Sequence, residues 1–333
     1  MPGSLTAGLG VVLLAGVFQG SFLFPSKWMK GWSWENYWLV FAATAYLASP
    51  WLVAALTIPR LLDVYRGISA GALVSIGLFG TGWGLGALTF GLGVDAVGMA
   101  LGFAVILGVA ATSGTVIPLL VQRPKGFSTE QAVVTAAALA LLLAGVAVCS
   151  LAGRWKEGTQ TAKPYGRGLA ICVASGLLSA CGNLGFAFGA EISQRAQSLG
   201  APEHLSGNAL WTLLALPLFL CNAGYSVYLL ARNRTAARYR APGSGRMFAL
   251  GVLMGALWMA GMGLYGVGAR KLGALGPSLG WAILMSSMVL VANGLGLASG
   301  EWKPAPPRSK RQLALGIAIL LAAIAVLGFA NRM

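Results

Sequence analysis

Residues 83–98 read WGLGALTFGLGVDAVG, and residues 258–273 read WMAGMGLYGVGARKLG. Both copies fit the pattern W-x-x-G-x-x-x-[FY]-G-x-G-x-x-x-x-G, with a constant offset of 175 residues. Glycine is frequent in this chain, so some glycine matches arise by chance, but a tryptophan and a second aromatic residue also match in register. The two stretches therefore predict an internal repeat that relates two halves of the chain.

The composition places this repeat in a membrane. Of 333 residues, 57% are hydrophobic and 9% are charged, whereas a typical soluble domain has about 25% charged residues. Ten apolar stretches are each long enough to cross a bilayer, at about 20 residues per crossing. They lie at roughly 5–24, 37–57, 70–92, 97–121, 130–151, 168–190, 208–231, 247–268, 274–298 and 312–330. We predict an all-α polytopic membrane protein with ten transmembrane helices.

The ten spans divide evenly about a charged segment. The halves are residues 1–151 and 168–333, and residues 152–167 form a linker that we expect in the cytoplasm. A weaker sequence match relates Ala15-Gly16 in the first span to Ser175-Gly176 in the sixth. Five spans per half is an odd number, so the second half must enter the membrane from the opposite side, which predicts two inverted five-helix repeats. The alternative is a bundle whose glycines only allow close packing.

The positive charge of the chain indicates its orientation. The 23 Lys and Arg residues outnumber 8 acids, and 15 of the 23 lie in the loops that follow odd-numbered spans. Because cytoplasmic loops are rich in Lys and Arg, these loops are predicted in the cytoplasm and both termini outside it. The basic excess is thereby explained without a nucleic-acid partner. The segment Met1–Leu9 has no Lys or Arg, so the first span is expected to be a retained helix rather than a signal peptide.

Several short strings resemble one transporter family. They are KGWSWE at residues 30–35, WGLG at 83–86 with Gly91-Leu92, Leu257-Trp258 with Tyr265, and Glu301-Trp302. With the five-plus-five arrangement, they resemble the L-rhamnose/proton symporter family of the drug/metabolite transporter superfamily. The resemblance implies a secondary transporter of the inner (plasma) membrane that takes up a 6-deoxyhexose together with H⁺. It runs along most of the chain, and the Trp-Ser-Trp-Glu string is its most specific piece.

The chain also departs from this family at two places. After the third-span Trp-Gly-x-Gly the family carries Asn and Tyr, where this chain has the residues 87–90, ALTF. After the eighth-span Trp the family carries Gln, where this chain has 259–261, MAG. If those positions contact the sugar, the departures predict a different or less hydroxylated ligand.

A sugar site can also be sought from chemistry alone. A neutral sugar needs a few hydrogen-bonding groups and aromatic rings on which its apolar C–H face can stack. The predicted substrate-binding residues are Gln19, Trp83, Thr89, Asn183, Asn222, Trp258 and Tyr265. The three amides fit helix-to-helix hydrogen bonding equally well, and a Thr hydroxyl more often bonds its own helix. Five other tryptophans are expected in interfacial aromatic belts: Trp28, Trp32, Trp34, Trp38 and Trp302.

Proton coupling requires a group that titrates in the transport path, and none of the 8 acids lies in the middle of a span. Glu191, at the end of the sixth span, is our first candidate, and Asp95, between the third and fourth spans, is the second. The alternative for Glu191 is a solvated helix end near Arg195. The residues alone therefore do not establish proton coupling, which the resemblance implies.

The sequence favours a transporter of a small neutral sugar, best L-rhamnose with H⁺, in contact with the lipid bilayer. One alternative is an exporter of other metabolites or drugs, and another is a membrane scaffold that transports nothing. A cavity lined by Gln19, Trp83, Asn183 and Trp258 favours transport, whereas tight packing of these residues favours the scaffold. The four cysteines lie in spans without a C-x-x-C motif or a histidine partner, so neither a metal, a cofactor nor an enzymatic activity is expected.

Overall fold

The computed structural model describes residues 2–122, 127–157 and 165–333. These residues form thirteen α-helices and no β-strand. The helices are α1 Pro2–Ser21, α2 Trp34–Ala42, α3 Ser49–Thr57, α4 Leu61–Arg66, α5 Ala70–Val97, α6 Met99–Gln122, α7 Thr129–Glu157, α8 Tyr165–Phe188, α9 Ala190–Ser198, α10 Asn208–Asn233, α11 Ser244–Lys271, α12 Gly276–Ala298 and α13 Pro307–Ala330. Within the predicted linker, residues 158–164 lie outside the described residues.

Ten helical stretches in the described ranges are long and apolar enough to cross a membrane, as the sequence predicts. The second stretch contains α2 and α3, which are joined by a π-helical turn at Ala43–Ala48. The sixth contains α8 and the short helix α9. The protein is therefore an all-helical, multi-pass membrane protein.

Local sequence explains where some helices begin and bend. Ser33 caps α2 in a reciprocal arrangement with Asn36, whose side-chain oxygen accepts from the Ser33 amide at 3.1 Å. Ser69 caps α5, since its hydroxyl accepts from the Ala72 amide at 3.2 Å. Pro50 has no amide hydrogen, so it cannot continue the helical bonding pattern, and the π turn ends two residues before it.

The two halves pack with the same pattern of neighbours. Helix α5 packs on α8 as α11 packs on α1, and α6 packs on α8 as α12 packs on α1. Helix α5 also contacts α10 as α11 contacts α2, and α7 packs on α13. Each of these contacts joins one half of the chain to the other, so the core lies between the halves.

Matched glycines lie at matched crossings. A methyl group built at Gly86 would lie 2.6 Å from the Ser179 amide nitrogen, and one at Gly261 would lie 2.8 Å from Gln19 Cγ. Two turns further along the same helices, the corresponding contacts are Gly93 with Cys172 and Gly268 with Val12. Small residues let helices approach closely in a membrane. This symmetry of packing supports the predicted repeat, whose inverted orientation and boundaries stay a prediction.

Candidate substrate-binding site

The matched tryptophans of the repeat meet at the centre of the protein. The rings of Trp83 on α5 and Trp258 on α11 lie 5.6 Å apart, with an angle of 36° between their planes. Trp258 is 6% exposed, and Trp83 is partly buried. Sequence analysis predicts both as sugar-stacking residues, and the structure brings them together.

Further aromatic rings extend this pair into what we call the central aromatic cluster: Tyr46, Trp83, Phe186, Trp211, Trp258 and Tyr265. Trp211 lies 6.4 Å from Trp83 and stacks on Phe186 at 5.1 Å, with an interplanar angle of 11°. Phe186 in turn lies 5.3 Å from Tyr265. Aromatic faces of this kind suit the C–H face of a sugar ring.

Two of the predicted amides are engaged in hydrogen bonds between helices. Gln19 Nε2 donates to the Trp258 carbonyl at 2.8 Å. Asn183 Nδ2 donates to the Gly114 carbonyl at 2.7 Å, and Asn183 Oδ1 accepts from the Tyr265 hydroxyl at 2.5 Å. Both amides are buried beside the central aromatic cluster. In this conformation they fill the helix-to-helix role that the sequence left open.

The two remaining predicted polar residues lie outside the cluster. Asn222 Oδ1 accepts from the Trp38 indole N–H at 3.0 Å, and Phe41 connects Trp38 to Tyr46. Trp38, which we expect in an interfacial belt, thus also points its N–H inward. The Thr89 hydroxyl donates to the Leu85 carbonyl of its own helix at 2.8 Å, which is the alternative open for a threonine.

A cavity of about 490 Å³ lies between α5, α6 and the end of α8. It is lined by Ala72, Ser75, Ile76, Phe79, Val121, Phe188, Gly189 and Glu191. Gln19, Trp83, Asn183 and Trp258, which we expect in the lining, do not contribute to it. However, Phe79 stacks on Phe188 at 6.0 Å, and Trp83 continues the same face of α5 one turn beyond Phe79. The α5 wall of the cavity therefore continues along the helix to Trp83 of the central aromatic cluster.

Glu191 is the acid in this cavity, and it also connects the two halves. Its Oε1 accepts from the Ser69 amide at 2.7 Å, and its Oε2 accepts from the Ser69 hydroxyl at 2.8 Å. The carboxylate thereby binds the N-terminus of α5, where the helix dipole favours a negative charge. Asp95, the second candidate, is exposed near the other end of α5.

At the opposite end of the protein lies an acid that sequence analysis did not select. Among the acids whose side chains the structure describes, Glu35 alone is buried, at 4% exposure. Its Oε1 accepts from the Thr235 hydroxyl at 2.7 Å and from Asn233 Nδ2 at 3.1 Å. The Tyr239 hydroxyl donates to the Asn36 carbonyl at 3.0 Å, and burial raises the pKa of Tyr239, which keeps this donor protonated. We call this contact, made by Glu35, Asn36, Thr235 and Tyr239, the loop latch.

Phe186 and Trp211, which complete the central aromatic cluster, are not predicted by the sequence pattern. Phe186 follows Asn183 by three residues and Trp211 begins the seventh span, but neither has a matched partner in the other half. Their stacking arises only when α8 and α10 meet. Glu35 lies in the Trp-Ser-Trp-Glu string, the most specific piece of the family resemblance. That string could have indicated Glu35 as a residue of interest.

Ten apolar helices around a buried aromatic centre define a multi-pass membrane protein. In this conformation Gln19, Trp83, Asn183 and Trp258 pack against their neighbours and do not line the cavity, so the packing alone favours the scaffold alternative. Comparison with known proteins identifies the branch: the model of the L-rhamnose-proton symport protein (RhaT) family matches residues 1–331, and the chain belongs to this family. Proteins of this family transport a sugar together with protons and are not enzymes, in agreement with the predicted resemblance.

Similar proteins cover nearly the whole chain. A protein of Cronobacter sakazakii is 28% identical over 350 aligned residues, and one of Escherichia coli O1:K1 is 26% identical over 350. A Shigella dysenteriae protein is 26% identical over 341 residues. Each alignment covers 98% of both chains, and each relative is named L-rhamnose-proton symporter.

Proposed function

We propose that the protein carries L-rhamnose together with H⁺ across the inner (plasma) membrane by alternating access. The observation that carries this proposal is the family match through residues 1–331, supported by three relatives of the same name that align end to end. The buried polar side chains that form hydrogen bonds at the cluster, Gln19, Asn183 and Tyr265, are amides and a hydroxyl, which suits an uncharged sugar.

The sugar site that we propose is the central aromatic cluster, with the sugar ring stacked on Trp83 and Trp258. The cavity beside Phe79 is the approach to it. Gln19 and Asn183 are the polar ligands, and they exchange their carbonyl partners for sugar hydroxyls when the halves move apart. A sugar hydroxyl can accept from the amide and donate to the carbonyl that the amide leaves, so the exchange conserves the number of hydrogen bonds and carries no large energetic penalty.

The orientation proposed from the loop charges gives each end of the protein a role. The cavity adjoins loops that follow even-numbered spans, which the charges place outside the cytoplasm together with both termini. The loop latch joins the first-to-second and seventh-to-eighth loops, which the charges place in the cytoplasm. The conformation is then one that is open toward the outside and closed toward the cytoplasm.

Glu191 is the coupling residue in this scheme. A proton from the outer solution neutralises its carboxylate, and the two bonds from Ser69 weaken because hydrogen bonds to a charged acceptor are the stronger ones. Helix α9 is thereby released from the N-terminus of α5. Protonation and the relative movement of the halves are linked through this contact.

The test is uptake of labelled L-rhamnose into proteoliposomes with an acidic exterior or with equal pH on both sides. We expect the gradient to drive accumulation above the equilibrium level. L-Mannose, which carries a hydroxyl where L-rhamnose carries a C6 hydrogen, is the matched competitor, and protein-free vesicles are the blank. Uptake that ignores the gradient would refute symport, and a lack of uptake of any deoxy-sugar would refute the substrate class.

A further inference from the structure

Two buried N–H groups near the central aromatic cluster meet no acceptor among the described residues. One is the indole N–H of Trp211, a residue that is 1% exposed, and the other is Nε of Arg270. Leaving a buried donor unpaired costs about 1–3 kcal/mol, so such groups are uncommon and call for an explanation. Eight buried side-chain atoms of the described residues have no hydrogen-bond partner, and these two border the same aromatic ring, which points to a place where acceptor atoms of another molecule belong.

Both donors border the ring of Phe186. Trp211 stacks on this ring, and the Arg270 guanidinium carbon lies 5.9 Å from its centroid. Glycines stand beside both groups: a methyl group at Gly266 would lie 3.1 Å from Trp211 Nε1, and one at Gly207 would lie 3.4 Å from Arg270 Nε. Side chains at these two positions would crowd the donors, whereas glycine adds no side-chain atom beside them.

The guanidinium of Arg270 is held in place by the rest of its surroundings. Its Nη2 donates to the Ser193 hydroxyl on α9 at 2.5 Å. Arg270 lies in the last turn of α11, where the helix dipole favours a positive charge. These interactions orient the Arg270 side chain without using Nε. The Nε–H group therefore remains available to donate a hydrogen bond.

We propose that Trp211 Nε1 and Arg270 Nε bind oxygen atoms of the transported sugar and so determine specificity in the polar part of its site. This inference rests on the proposed function. Both groups only donate, so they select a ligand rich in acceptor oxygens, such as the hydroxyl and ring oxygens of a pyranose. The ring centroids of Trp211 and Trp83 lie 6.4 Å apart, so Trp211 borders the proposed stacking site on Trp83 and Trp258.

The decisive variant is Trp211→Phe, which removes the N–H but keeps an aromatic ring for Phe186. Its control is Trp281→Phe, because the indole N–H of the buried Trp281 is paired with the Ala110 carbonyl at 3.1 Å. Binding of labelled L-rhamnose to purified protein in detergent is measured by equilibrium dialysis without a pH gradient. Thermal unfolding of the same samples reports stability.

We expect Trp211→Phe to weaken binding about three- to tenfold, the value of one neutral hydrogen bond, and to lower thermal stability less than Trp281→Phe, since Trp211 loses no paired N–H. Trp281→Phe should lower thermal stability and leave the affinity unchanged. Arg270→Lys keeps the charge but lacks Nε, and a similar loss of affinity is expected. Wild-type affinity in both Trp211→Phe and Arg270→Lys overturns this inference while the proposed function stands, whereas wild-type protein that binds no L-rhamnose overturns both.

Discussion

At the scale of single residues, the proposed stacking of the sugar ring on Trp83 and Trp258 can be tested most directly. Replacing Trp83 or Trp258 by Leu keeps an apolar side chain but removes the stacking face, which is worth about 0.5–1.5 kcal/mol. We expect the KM for L-rhamnose uptake to rise roughly three- to tenfold in either variant. Trp28→Leu is the control, because Trp28 is 46% exposed. An unchanged KM at normal expression would assign the pair to packing alone.

The carboxylates allow a second residue-scale test. Glu191→Gln cannot take up a proton, so we expect it to lose accumulation driven by a pH gradient while it still exchanges labelled for unlabelled L-rhamnose. Asp95→Asn serves as the comparison, since Asp95 is exposed near the opposite end of α5. If Asp95→Asn loses accumulation and Glu191→Gln retains it, the proton is carried by Asp95 instead.

At the scale of helices, the contact of α5 with α8 depends on the absence of a side chain at Gly86. Gly86→Ala places a methyl group 2.6 Å from backbone atoms of Ser179, which cannot yield easily. A lower midpoint of thermal unfolding is expected, by a destabilisation of about 1–3 kcal/mol. Gly91→Ala on the same helix is the control, because a methyl group there meets nothing within 4 Å and alanine favours helix.

Equal unfolding midpoints of Gly86→Ala and Gly91→Ala would show that this crossing tolerates separation. In that case the symmetry between the Gly86 and Gly261 crossings would have no bearing on stability.

How far the sequence predicts these elements depends on the range of the interaction. Apolar length is a local property, so the spans are predicted closely, and the matched Trp83 and Trp258 identify the centre. The loop latch, by contrast, joins Glu35 to Thr235 across 200 residues, and no local pattern records that meeting. Gln19 and Asn183 pair with backbone carbonyls of other helices. From the residue types alone, this outcome and the lining of a cavity were equally favoured. The packing of the helices in the folded structure, and not the amino-acid composition, decides between these two outcomes.

At the scale of the whole molecule, the orientation in the membrane has a direct test. In a variant whose four cysteines are replaced, a single cysteine is introduced at exposed His204 or at exposed Arg240. A maleimide that cannot cross membranes is expected to label His204→Cys on intact cells and to label Arg240→Cys only after lysis. The reverse labelling would invert the proposed orientation and place the cavity on the cytoplasmic side.

Glu191 is the one carboxylate among the residues that line the cavity, and this has an electrical consequence. In the proposed scheme, a neutral sugar travels with one proton on Glu191, so one positive charge crosses the membrane in each cycle. A membrane potential of 100 mV then contributes about 2.3 kcal/mol, which corresponds to roughly fiftyfold in sugar accumulation. The same carrier would therefore concentrate its substrate from voltage alone, at equal pH on both sides.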